Sequence, residues 1–194
     1  MTRKNDKRER LVDSAAELFW TRGFDATLLA DIATAADVPL GNVYYYFKTK
    51  TELARAVADL FVMQSETLIA SLNESTAEPD RKLQKFIDVL AGSTAARTER
   101  GCPIAKAYAD FKPHDEIAAR RAADALRVLA VWAQEVLAEC GHADARGTAW
   151  RLISDWQGGI VIAHAFADRS HLEAIIESMR MAVRPAKDGD PVKG

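Results

Sequence analysis

Five side chains within one short run, Asn42, Tyr44, Tyr45, Tyr46 and Lys48, carry hydrogen-bonding groups suited to a nucleic acid. The amide of Asn42 both donates and accepts, so it can meet a base edge or a phosphate. Tyrosine hydroxyls donate to phosphate oxygens while their rings cover sugar and methyl surface. Lys48 adds a positive charge at the end of the run. Gly41 lets a DNA backbone approach closely, and Leu40 stands before it. The competing reading is a packed aromatic cluster. Three successive tyrosines point in different directions around a helix, so they cannot all be core.

Such groups must ride on a short helix that enters the major groove and is anchored from behind. Val38, Val43 and Phe47 supply the apolar anchor, and Asp37-Val38-Pro39 supplies the break before it. The spacing predicts a first helix over about 7–22, with Leu11, Ala15, Leu18 and Phe19 on one face and Gly23 as its stop. A second helix over about 28–35 buries Leu29, Ile32, Ala33 and Ala36. Thr27 is placed to cap it, and also to touch phosphate, because helix N-termini attract anions. The third helix spans about 40–47. Ala33 is small where the second helix crosses the third. Thr49-Lys50-Thr51-Glu52 reads as a capping box opening a long fourth helix to about Leu72.

Charge agrees with this division. The chain of 194 residues has a net charge of −2, yet Arg3, Lys4, Lys7, Arg8 and Arg10 crowd its first ten positions. A basic arm on a mildly acidic body suits a modular DNA binder, with Arg3 and Lys4 as phosphate contacts. A solvated terminus is the plainer alternative. Hydrophobic residues make up 48% of the chain, enough for a sizeable core. No run approaches bilayer length, and the first residues lack a signal-peptide core, so a cytoplasmic protein is expected. Cys102 and Cys140 form no CxxC pair.

Five further helices are predicted at about 80–95, 103–111, 115–139, 144–167 and 170–183, the last opened by a Ser170–Glu173 capping box. The expectation is an all-α chain of about nine helices. A DNA-binding domain occupies 1–48, a helical effector-binding and dimerisation domain 49–184, and a flexible tail 185–194.

The stretch Gly23–Leu53 resembles the N-terminal domain of the TetR family of bacterial transcriptional regulators. Gly41-Asn42-Val43-Tyr44-Tyr45-Tyr46-Phe47-Lys48 follows that family's G-x-[LIV]-Y-x-[HY]-F-K pattern. Two positions depart from it. Asp37 stands where many members carry glycine, though Asp tolerates a left-handed turn. Leu40 stands where many carry a polar or basic residue, which removes one base contact.

The resemblance implies that the later helices bind a small molecule and pair two subunits. Leu152, Gly159, Ile160, Ala163 and Phe166 on the eighth predicted helix, with Leu172, Ile175, Ile176 and Met179 on the ninth, form candidate faces for a four-helix dimer interface. An ordinary intrachain core is the alternative. Phe86, Val89, Cys102, Tyr108, Trp132 and Trp156 are candidates for lining an effector pocket, and their character favours an apolar or aromatic effector. Cys102, at a helix start, reads either as an activated thiol or as a small buried hydrophobe. The histidines show no metal-ligand spacing, so neither metal nor cofactor is expected.

The partners expected are therefore double-stranded operator DNA, a second copy of the chain and a small effector, with no membrane. The function expected is repression relieved by that effector, helix four transmitting the change. An activator of the same architecture is the first alternative. A small helical enzyme acting on hydrophobic substrates is the second, but no G-x-S-x-G, Walker or HExxH pattern supports catalysis.

Overall fold

The structure is a computed structural model that describes residues 2–184, with side chains from residue 6 onward. The tail assigned to 185–194 and the side chains of Arg3 and Lys4 lie outside the described residues. Ten helices and no strand are present among the described residues: α1 (Thr2–Arg22), α2 (Leu29–Ala35), α3 (Leu40–Tyr46), α4 (Lys50–Ser75), α5 (Pro79–Gly92), α6 (Thr94–Arg100), α7 (Pro103–Phe111), α8 (Glu116–Glu139), α9 (Ala145–Phe166) and α10 (Ser170–Ala182). The all-α plan is as expected, with one helix more. The segment predicted as a single helix over 80–95 divides at Ser93. The Ser93 N–H and hydroxyl both donate to Leu90 O, at 3.0 and 2.8 Å, and the Thr94 hydroxyl donates to Ala91 O at 3.0 Å. Hydroxyls that compete for helix carbonyls favour such a break.

The chain forms two compact units. One holds the residues up to Ser65 together with Cys102–Arg127, the other Glu66–Gly101 with Val128 onward. Helices α4 and α8 contribute to both.

In the first unit, α1 ends where Gly23 adopts φ 90° and its N–H closes on Phe19 O at 3.1 Å. A left-handed residue at this point costs glycine nothing. Leu11, Ala15 and Phe19 of α1, Ile32, Ala33 and Ala36 around α2, and Val38, Val43 and Phe47 around α3 are buried as predicted, while Leu18 and Leu29 of the same predicted faces are only half-buried. Thr49 Oγ1 accepts from the Glu52 N–H at 3.1 Å, as the capping box requires. The return half shifts by one residue: Glu52 Oε2 accepts from the Lys48 N–H at 2.8 Å.

Asp115, just before α8, ties that helix to α4. Its Oδ1 accepts from the Ile117 and Ala118 amides, and its Oδ2 from Arg55 Nε. A second pair, Arg121 Nε to Asp59 Oδ1 at 2.7 Å, joins the same two helices. Burial pushes the Asp115 carboxyl up, but the Arg55 guanidinium and the two amides outweigh it and hold it below its usual range. A lowered carboxyl stabilises the fold above the unfolded value of about 3.9. That contribution is lost as pH falls through the lower folded value. Asp115→Ala should therefore lower the urea midpoint at neutral pH, and its gap from wild type should narrow once pH drops below about 3.9. A gap that persists unchanged in strong acid would assign the loss to packing.

In the second unit, Leu83, Phe86 and Ile87 of α5, Leu137 of α8, Leu152 and Ile160 of α9 and Leu172 and Met179 of α10 are fully buried. A Cβ on Gly159 would come within 3.1 Å of Ile175 Cγ1 and 3.2 Å of Leu172 Cδ2, so this glycine lets α9 and α10 close together within one chain. The predicted Ser170–Glu173 capping box does not form. Asp168 Oδ1 takes the Ser170 N–H at 2.9 Å, and Glu173 instead pairs with Arg169 at 2.8 Å. The closer carboxylate of Asp168 outcompetes the distant one. No helix among the described residues is long and apolar enough to cross a membrane.

Candidate nucleic-acid interface

The α2–α3 connection is a tight turn. Asp37 adopts φ 52°, and the Val38 N–H donates to Ala33 O at 2.9 Å. The short polar side chain makes this left-handed conformation tolerable. Arg10 of α1 steadies the turn from outside, donating to Asp37 O at 3.3 Å with the Asp37 carboxylate 3.8 Å away. Pro39 then caps α3, its carbonyl accepting from the Asn42 N–H at 2.8 Å.

Val43 and Phe47 are the buried side of α3. The Arg8 guanidinium lies 5.2 Å from the Phe47 ring centroid, so this part of the basic arm braces the helix from behind. The opposite side is open. Leu40, Gly41, Tyr44 and Tyr45 are exposed, Tyr45 to 60%, while Asn42 and Tyr46 are half-buried. Tyr45 and Tyr46 pack edge to face at 5.1 Å, which fixes their ring directions relative to each other. Exposed lysine Lys48 curls back, its Nζ donating to Tyr44 O at 2.7 Å. It places its positive charge at the carbonyl end of α3. The six α3 and post-α3 residues singled out in sequence, with Leu40, thus fall on one short helix and its end.

Thr27 is the correction. It is fully buried, and its hydroxyl donates to Gly23 O at 2.7 Å, so it offers nothing to phosphate. Nor does it cap α2. Leu28 holds the cap position, and its N–H is taken by the Asp31 carboxylate at 2.9 Å. The hydroxyl closes the end of α1 rather than the start of α2. Lys50 has a role that motif reading missed. Its Nζ donates to Phe24 O at 2.7 Å and Thr27 O at 3.1 Å, and stands 4.3 Å from the Phe24 ring centroid. A lysine four residues beyond the last tyrosine reads as one more surface charge, and no local pattern distinguishes a clamp.

The pocket candidates do not converge as a set. Phe86 and Trp132 meet edge to face at 5.4 Å, and the Trp132 indole N–H donates to Asn73 Oδ1 at 3.1 Å. Trp156 is buried in the same unit. Val89 is exposed instead, beside a surface groove of about 410 Å³ shared with Leu68, Leu72, Lys85 and Asp88. Tyr108 is also exposed, its hydroxyl accepting from Lys112 Nζ at 3.0 Å, so a cation holds it at the surface. Cys102 is buried at the start of α7 as a free thiol.

The candidate dimer faces need a larger correction. Leu152, Gly159, Ile160, Ala163, Leu172, Ile176 and Met179 are buried within the single chain, and Ile175 is half-buried against Gly159. Their apolar surface is already used between α9, α10 and their neighbours. Of the predicted set only Phe166 is exposed, to 72%. Val161 and Ile162 accompany it outside, 64% and 42% exposed.

Comparison with known proteins bears on this geometry. The family model for bacterial regulatory proteins of the tetR family matches residues 11–57, the segment from α1 through the start of α4 that carries the exposed tyrosines. The HTH-type transcriptional repressor DhaR of Mycobacterium sp. (strain GP1) is 22% identical over 93% of this chain and 94% of its own length. An HTH-type regulator in the dhlA 5′ region of Xanthobacter autotrophicus is 37% identical over 42% of this chain and 41% of its own. Among solved structures, a TetR transcriptional regulator from Legionella pneumophila superposes with a TM-score of 0.80 at 21% identity, covering 95% of this chain and 99% of that one. Reduced E. coli NemR gives 0.79 at 18% identity, covering 93% and 100%. A turn, an anchored short helix and an open aromatic face are thus assembled within the segment that matches the tetR family model, and the fold of the chain is that of the TetR-type regulators it resembles.

Proposed function

We propose that this chain is a cytoplasmic homodimeric repressor that leaves its operator when a small apolar or aromatic effector binds. The observation that carries the reading is the open face of α3, nearly uncharged and backed by buried Val43 and Phe47. Two such helices must stand about 34–36 Å apart to read successive major grooves, which requires a second copy. Repression is favoured by the names of relatives, DhaR and the mycobacterial repressor KstR2, the latter 32% identical over 41% of this chain. The character of the effector follows from the second unit. Thr94 is its one polar residue among the described buried positions, so a guest accommodated there meets apolar and aromatic walls. Phe86, Trp132 and Trp156 are the walls that would have to part. Helix α4, shared by both units, is the route by which that change would move the DNA-binding head.

Footprinting on the intergenic DNA upstream of the gene, with and without candidate effectors, tests the whole reading. An effector that weakens DNA binding must itself bind the DNA complex less tightly. Equal effector affinity for free and DNA-bound protein would sink the linkage. Lys48→Ala should weaken binding on operator and random duplex alike and lower the salt slope by about one. A loss confined to a single base position would make Lys48 a base reader instead.

A further inference from the structure

The turn between α1 and α2 is gripped from two sides. On one side is Lys50, with its two short bonds to the Phe24 and Thr27 carbonyls. On the other is the end of α7, which lies far along the sequence but within the same compact unit. Asp110 Oδ2 accepts from the Phe24 backbone N–H at 3.1 Å, across 86 positions of sequence. The same oxygen pairs with Lys106 Nζ at 3.1 Å. A Cβ on Gly23 would come 3.4 Å from both of these atoms, so the turn lies directly against the pair. The Phe24 ring packs on Phe111 at 5.5 Å and on His114 at 4.8 Å, and His114 Nε2 reaches Asp25 Oδ1 at 2.9 Å.

We propose that Asp110 is a positioning residue for DNA recognition: through the Phe24 N–H it holds the α1–α2 turn, and hence the recognition helix, in place. The proposal rests on the DNA-binding reading above. Phe24 is buried, and removing the Asp110 carboxylate takes this partner from its N–H. Helix α2 starts at Leu29, shortly after the turn, and packs on α3, so a displaced turn carries the exposed tyrosines with it. An ion pair between Lys106 and Asp110 one helical turn apart needs no Phe24. The hydrogen bond into the turn is the part that a local role leaves unexplained. It also gives α7 a hold on the DNA-reading head that does not pass through α4.

Three full-length variants separate these contributions. Asp110→Ala loses both partners. Asp110→Asn keeps an oxygen to accept the Phe24 N–H but loses the charge. Lys106→Ala loses only the ion pair. Asp110→Ala should weaken binding to the upstream duplex about tenfold, the size of one lost bond to a charged group. Its salt slope should not change, because no phosphate contact is lost. Asp110→Asn and Lys106→Ala should stay within about threefold of wild type, as expected for a part-exposed ion pair. Hydrogen exchange should quicken in Asp110→Ala across residues 23–36 and not in the second unit. The proposal is overturned by wild-type binding and exchange in Asp110→Ala, or by an Asp110→Asn variant as impaired as the alanine. If the wild-type protein bound no upstream DNA, the DNA-binding reading itself would fall. Normal binding with an unaffected Asp110→Ala would remove this proposal alone.

Discussion

Gly41→Ala should raise stability and lower DNA affinity at once. A Cβ at this position meets no atom within 4 Å, so the folded chain accepts it without adjustment. Replacing a helical glycine by alanine reduces the backbone freedom lost on folding, a gain of roughly 0.5–1 kcal/mol. The melting temperature should rise by a few degrees accordingly. The same methyl stands on the open face of α3, between Leu40 and the exposed tyrosines, the face proposed to meet DNA. Binding should fall about tenfold, one well-placed contact. Gly41→Glu should fall further, about a hundredfold, because it also adds negative charge facing phosphates. Thermal melts and anisotropy titrations on the same preparations check both halves. Tight binding by Gly41→Ala would move the point of closest approach to the Tyr44–Tyr45 end of the helix.

That the face around Gly41 can be argued from sequence reflects how local its determinants are. Val38, Val43 and Phe47 are spaced for one buried side, and whatever they leave over must point outward. The turn at Asp37 and the Thr49–Glu52 cap are decided by neighbouring residues, and both form. Where a residue's role depends on distant partners, local reading fails. Thr27 has the chemistry of a helix cap, but the carbonyl of Gly23 claims its hydroxyl. Lys50 and Asp110 look like ordinary surface charges until the fold brings both to the turn at Phe24. Neither signal exists at any fixed sequence spacing.

The second unit was less legible for a different reason. Helical periodicity finds the apolar stripe of a helix but not what covers it. The Leu152–Gly159–Ile160–Ala163 stripe is apolar, and within this chain it is buried, with Gly159 against Leu172 and Ile175 of α10. The same ambiguity affects the aromatics. Phe86 and Trp132 pair inside, while Tyr108 is held outside by Lys112, although the three look alike in sequence. Large residues say that a core exists, and only the partners of each one say which side it takes.

The outer side of α9 therefore becomes the place to test assembly. Phe166, Val161 and Ile162 are exposed there, with Gly158 one turn earlier open to close approach. Met181 is similarly exposed on α10. A two-fold interface uses the same patch from both subunits, so each substitution enters it twice. The double variant Val161→Glu, Phe166→Glu should thus put four carboxylates into an apolar contact and leave the protein monomeric by light scattering. The helical core should survive, because neither side chain is buried within the chain. Operator affinity should fall at least about a hundredfold, since one head can no longer raise the effective concentration of the other. Leu152→Ala is the contrasting variant. It should cost about 2–5 kcal/mol of intrachain stability through a core cavity, without a selective effect on subunit pairing. A double variant that stays dimeric would move the interface off the outer face of α9, and with it the geometry that places two recognition helices on one operator.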